Sequence, residues 1–162
     1  MRIQLRLPQV LVIVGLVALA AVGVAAIAQY VFNMQPCPWC VLQRFIYIVV
    51  GVLALLAAAL PTLLRRLFSA LALLASLSGV AAALWQQLHA VNEASCDLSL
   101  AERIVSALQL DRYVPQLFVA YASCGDAAVS VLGIPFAVWS CILFVLLAVV
   151  LAWSLRVSLK AR

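Results

Sequence analysis

The chain has 162 residues, 69% of them hydrophobic and 9% charged, and its mean hydropathy is +1.23. A water-soluble domain carries about 25% charged residues, so this composition places one domain, residues 1–162, in a bilayer. It excludes a soluble enzyme, a disordered chain and a nucleic-acid-binding module. The net charge of +5 does not restore the last, because the basic residues are scattered at segment ends.

Four apolar runs follow one another: Val10–Phe32, Val41–Leu60, Leu67–Trp85 and about Val131–Leu155. Each is near the ~20 residues a helix needs to cross a hydrocarbon core. Lipid cannot satisfy open backbone groups, and these runs lack the alternation of barrel strands. The expected fold is therefore all-α, a four-helix transmembrane bundle. Short links at Asn33–Cys40 and Pro61–Arg66 and one long loop, about Gln86–Ser130, join the runs. The first run has the basic start of a signal peptide, but it exceeds the usual core of about 7–15 apolar residues, so a retained span is expected.

Charge orients the bundle. Arg2, Arg6, Arg65, Arg66, Arg156, Lys160 and Arg162 fall in segments that an even number of spans puts on one side, which the positive-inside rule makes cytoplasmic. Glu93, Asp97, Glu102, Asp111 and Asp126 all fall in the long loop on the other side. Both termini are thus expected in the cytoplasm.

The placement of the cysteines is more informative than their number. Cys37 and Cys40 form a Cys-x-x-Cys pair at the outer mouth of the second span, and Cys96 and Cys124 lie in the long outer loop. Disulfides persist on that oxidising face. A Cys-x-x-Cys pair readily opens and closes a small disulfide, and its thiol pKa is commonly lowered. Redox exchange, a static bridge and two ligands of a metal site all remain open for this spacing. Cys96 and Cys124 alone would read as a structural disulfide; beside a redox-type pair they can instead pass a disulfide along by exchange. Cys141, inside the fourth run, reads as packing.

Arg44 lies four residues after Cys40, on nearly the same helical face. It either snorkels to headgroups or stands beside Cys40, favouring its thiolate and binding an electron-rich oxygen of an acceptor. Gln43 is a weaker candidate for the same task. Repeated thiol oxidation needs a two-electron acceptor. No flavin or nucleotide motif is present and His89 is a lone histidine, which leaves a lipid-soluble quinone.

With Cys37-Pro38-Trp39-Cys40-Val41-Leu42-Gln43-Arg44 in place, the chain resembles the bacterial disulfide bond formation protein B (DsbB) family. Cys96-Asp97, the stretch Tyr113–Ala120 before Cys124, and Leu132-Gly133 extend the resemblance over nearly the whole chain. It implies a quinone-dependent thiol oxidase of the bacterial inner membrane, the known role of the DsbA–DsbB–quinone chain. It further implies that a DsbA-like periplasmic thiol oxidase attacks a Cys96–Cys124 disulfide and joins Cys96. Cys124 then exchanges with Cys37, and Cys40 passes electrons to ubiquinone or menaquinone with help from Arg44. Many members carry a basic residue near the outer end of the third span, where this chain reads Ala81–Gln87. A vitamin K epoxide reductase–like protein is a rival, but its Cys-x-x-Cys generally sits in the last span. A non-catalytic scaffold with two disulfides and a metal-handling protein are the alternatives from other classes.

Within the long loop, Ser99-Leu100-Ala101-Glu102 predicts a capping box, followed by an amphipathic helix over about Leu100–Leu110. Tyr113, Val114, Leu117 and Phe118 are expected at the membrane interface, where aromatic rings settle.

Overall fold

The structure, a computed structural model, describes residues 2–90 and 99–160. Four of its helices are long and apolar enough to cross a membrane, over Leu7–Val31, Pro38–Ala59, Thr62–Ala90 and Phe136–Lys160. They belong to α1 (Arg2–Val31), α2 (Pro38–Ala59), α3 (Thr62–Trp85) with a π-helical turn at Gln86–Ala90, and α7 (Phe136–Lys160). Between α3 and α7 lie α4 (Leu100–Ala107), α5 (Leu110–Tyr113), α6 (Pro115–Phe118) and a hairpin of β1 (Ser130–Val131) with β2 (Ile134–Pro135). The expected four-helix bundle is observed.

Local chemistry sets the helix ends. Pro38 occupies the first turn of α2, where its fixed φ suits a helix and its missing N–H costs nothing. Pro61 forces Leu60 into extended backbone and so separates α2 from α3. Arg65 donates to the Ala57 and Leu60 carbonyls at 3.3 and 3.1 Å, satisfying acceptors at the C-terminal end of α2. Arg66 donates to the Ser158 hydroxyl and carbonyl on α7. The start of α3 and the end of α7 therefore meet at one end of the bundle.

Small residues let the helices approach. A Cβ on Gly15 would lie 2.6 Å from Leu55 Cγ and 3.0 Å from the Gly51 carbonyl oxygen, and one on Gly51 would lie 2.8 Å from Leu19 Cγ. Without a hydrophobic drive between spans in lipid, such close backbone approach is what lets dispersion hold α1 to α2. Gly79 on α3 likewise leaves room for the Phe144 ring of α7. That ring is fully buried and stacks on Tyr47 of α2, with centroids 3.9 Å apart and planes 8° from parallel. Ser76 of α3 donates to the Phe144 carbonyl at 2.9 Å, and the Tyr47 hydroxyl donates to the Ser140 carbonyl at 3.0 Å. Ile13, Leu16, Leu74 and Val149 are exposed on the outside of the bundle, as lipid-facing side chains must be.

Several boundaries differ from expectation: the third span runs over Thr62–Ala90 rather than Leu67–Trp85. The last span begins at Phe136, not Val131, because the residues before it form the antiparallel hairpin. Leu132 and Gly133 both have positive φ, +56° and +78°, which is the geometry of a two-residue hairpin turn. A short apolar run at a helix start does not reveal such a turn, since strand and buried helix share that composition. Helix α4 has the predicted capping box, with Glu102 Oε2 accepting from the Ser99 N–H at 2.9 Å and Ser99 Oγ from the Glu102 N–H at 3.3 Å. It ends at Ala107, however; the left-handed Gln109 starts the single turn α5, and Val114 starts α6. Replacing Gly51 by valine should overpack the α1–α2 crossing, at a cost of about 1–3 kcal/mol. Thermal unfolding in detergent should show a lowered Tm; an unchanged Tm would contradict this packing.

Candidate active site

The N-terminal end of α2 carries the Cys-x-x-Cys pair. Cys37 caps the helix, its Sγ accepting from the Cys40 N–H at 3.4 Å, and the two sulfurs lie 3.0 Å apart. Both are free thiols. Cys37 is fully buried in a cluster with Trp39, Leu42, Ala82, Ala90, Ala101 and Cys124, so α4 and the end of α3 roof it over.

Cys124 reaches this cluster because the loop before it is tied down. The Tyr121 and Ala122 N–H groups donate to the Pro36 carbonyl at 3.0 and 3.4 Å. The Tyr30 hydroxyl, at the end of α1, donates to the Gln116 carbonyl at 2.7 Å. Cys124 packs with Cys37 and Trp39, and the polarity of the Cys37 thiol, with that of the Trp39 N–H, holds its pKa below the usual thiol value against the opposing effect of burial. The Cys37 thiol is pushed up, by its hydrogen bonds to Cys124 and Cys40 and then by burial. A proton kept on Cys37 and a thiolate favoured on Cys124 make Cys124 the better nucleophile of the two.

Two glutamines complete the polar network. Gln86, the first residue of the π turn, donates from Nε2 to Cys40 Sγ at 3.2 Å and to Cys37 Sγ at 3.4 Å. Its Oε1 accepts from Gln43 Nε2 at 2.6 Å. Arg44 is buried and does not snorkel: it donates to Gln29 Oε1 at 2.6 Å, to the Ala25 carbonyl at 3.2 Å and to the Leu117 carbonyl at 3.2 Å. It thus bonds to both α1 and α6.

A cavity of about 480 Å³ opens between α1, α2 and α7. Cys40, Gln43, Arg44 and Gln86, with Gln35, Tyr47 and Ser140, form the polar part of its wall, and mostly aliphatic and aromatic side chains form the rest. This is the make-up of a small-molecule site, a mostly apolar concavity with a few convergent polar groups.

The structure brings together Cys37, Cys40, Cys124 and Arg44; Cys96 lies outside the described residues. Gln29 and Gln86 were not singled out from sequence, although a polar side chain at membrane depth is costly enough to signal a task. Phe118 departs from expectation: it does not lie at the interface but packs inward on Val41 and Val105, with Phe45 edge-on at 6.4 Å. Tyr113 is exposed. His89 is in the π turn rather than a loop and packs against Trp85, with centroids 4.4 Å apart and planes tilted by 31°.

Fold and site together define a four-helix membrane protein with clustered thiols beside an apolar cavity. The chain matches the family described as "Disulfide bond formation protein DsbB" over residues 8–154. It is 37% identical over 140 residues to disulfide bond formation protein B of Ralstonia nicotianae, covering 86% of this chain and 87% of that one. It is 34% identical over 144 residues to the protein of the same name from Cupriavidus metallidurans, covering 88% and 89%. Disulfide bond formation protein B 1 of Pseudomonas syringae pv. syringae is 35% identical over 145 residues, covering 86% and 83%. The chain belongs to the DsbB family.

In the reduced protein, iodoacetamide should label Cys124 ahead of Cys37 at neutral pH by about tenfold or more, since one pKa unit alone is tenfold in thiolate. Mass spectrometry of the labelled peptides would read the order, and faster labelling of Cys37 would contradict it.

Proposed function

We propose that this protein is a quinone-dependent oxidase of a DsbA-like periplasmic dithiol protein, with Cys37, Cys40, Cys96 and Cys124 as its redox cysteines. The observation that carries the reading is the double position of Cys40. Its sulfur is 3.0 Å from that of Cys37, which is packed with Cys124, and it also faces the apolar cavity. One side of this atom meets thiol exchange and the other a space suited to a lipid-soluble acceptor.

The exchange steps balance as follows. A partner thiolate attacks Cys96 of a Cys96–Cys124 disulfide, forming a mixed disulfide and releasing the Cys124 thiolate. The second partner thiolate then attacks that bond, leaving the partner oxidised and Cys96 reduced. Cys124 attacks Cys37 of a Cys37–Cys40 disulfide and expels Cys40 as a thiolate. The Cys96 thiolate attacks Cys124, restoring the Cys96–Cys124 bond and releasing Cys37, so two electrons now reside on the Cys37–Cys40 pair.

A quinone, ubiquinone or menaquinone, when bound supplies the acceptor for two electrons and two protons. The cavity residues fit such a group: the apolar wall suits a ring soluble in lipid, and Gln43 and Arg44 supply donors on the side that holds Cys40. Arg44 also fixes the wall, because its bonds to Ala25, Gln29 and Leu117 join three helices around Cys40. The arginines at the opposite end of the bundle support a cytoplasmic placement of both termini, with the thiols periplasmic in the bacterial inner membrane.

Purified protein with quinone and a reduced DsbA-like protein should consume quinone in step with thiol loss. Cys40→Ser should abolish turnover, and unchanged turnover would overturn the reading. A reduced partner variant lacking its second cysteine should accumulate disulfide-linked to Cys96, because it cannot resolve the mixed disulfide. Arg44→Ala should raise the quinone KM by roughly tenfold, as expected for losing a charged hydrogen bond. Kinetics equal at all quinone concentrations would restrict Arg44 to its structural bonds.

A further inference from the structure

We propose that Gln86 is the hydrogen-bond donor that holds the negative charge Cys40 acquires when its disulfide opens, with Gln43 locking the amide in that orientation. The inference rests on the redox reading above and adds a group to it.

Gln86 presents its donor end to the two sulfurs. An amide has a donor end and an acceptor end, and Gln43 Nε2 donates to the acceptor end at 2.6 Å. The Nε2 of Gln86 is therefore turned to the sulfurs, nearer Cys40 at 3.2 Å than Cys37 at 3.4 Å. Gln86 and Gln43 are both buried, and in so apolar a setting a hydrogen bond to a charged atom is strong and an unpaired amide is expensive.

Arg44, by contrast, directs its bonds to the Ala25 and Leu117 carbonyls and to Gln29. Among the described residues, Gln86 is the side-chain amide or cation within hydrogen-bond distance of the Cys40 sulfur. Gln86 gives up no proton. It meets developing charge on sulfur with a fixed dipole, as preorganised donors do in other active sites, so the proton and electron balance of the exchange is unchanged.

The test uses the full-length protein, reduced, in detergent. In Gln86→Met and Gln86→Leu, iodoacetamide labelling of Cys40, resolved by mass spectrometry, should slow by about tenfold, with Cys141 in the same molecules unaffected. With quinone and reduced partner, kcat should fall by a similar factor while the quinone KM moves less than about threefold. Gln43→Met should slow Cys40 labelling by a smaller factor and have no further effect when combined with Gln86→Met. Wild-type Cys40 labelling in a folded Gln86 variant would overturn the proposal. So would a raised KM with unchanged kcat, which would make Gln86 a cavity wall. If neither Gln86 variant folds, Gln43→Met decides: slowed labelling supports the proposal and wild-type labelling overturns it. A wild-type protein that cannot reduce quinone would defeat the functional reading, while the labelling arms would still decide the role of Gln86.

Discussion

Arg44, 6% exposed near the N-terminal end of α2, is the constraint around which the thiol end of the bundle is arranged. A cation at that depth must be met by acceptors, and α1 and α6 bring three of them. Meeting that demand draws the end of α1 and the loop turn at Pro115–Phe118 against the helix that bears Cys37 and Cys40. Tyr30 reinforces the same junction through Gln116. The path continues from α6 to Tyr121, whose bond to Pro36 holds Cys124 over Cys37. A charge that solvation alone would push outward is thereby converted into the tether of a loop.

The other end and the middle of the bundle obey different rules. Arg65 and Arg66 act on helix termini, where cations complement exposed carbonyls. In the middle, the stacked Tyr47 and Phe144 rings and the serine bond to the Phe144 carbonyl join α2, α3 and α7. Packing there leaves α1 and α7 apart near Cys40, and the cavity occupies the gap. The open space beside the thiol is thus a product of where the helices touch elsewhere.

Much of this was legible in the amino-acid order. Long apolar runs bounded by arginines announce spans, and Pro38 after Cys37 announces a helix start with a thiol at its cap. The i, i+4 spacing put Arg44 with Cys40, and both do line one cavity. What stayed hidden depends on contacts between distant segments. Gln29 and Gln86 are isolated polar residues in apolar surroundings; spacing signals their cost but not their partner. Phe118 looks like an interfacial aromatic until Val105 and Val41 are known to face it. The hairpin before α7 was masked because its residues, Val131 to Pro135, are as apolar as the span they precede. Cys96, in the undescribed stretch, is known from sequence alone.

The π turn at Gln86–Ala90 widens the coil by one residue per hydrogen-bonded ring relative to an α-helix. Gln86 and Ala90 are buried within it while Leu88 and His89 face outward. Removing one residue here would restore ordinary winding and rotate everything beyond it by about 100°. Ala90 would leave its place among the sulfurs, and the chain entering the long loop would set off in another direction. A deletion or insertion at this point is therefore a change of wiring rather than of length alone.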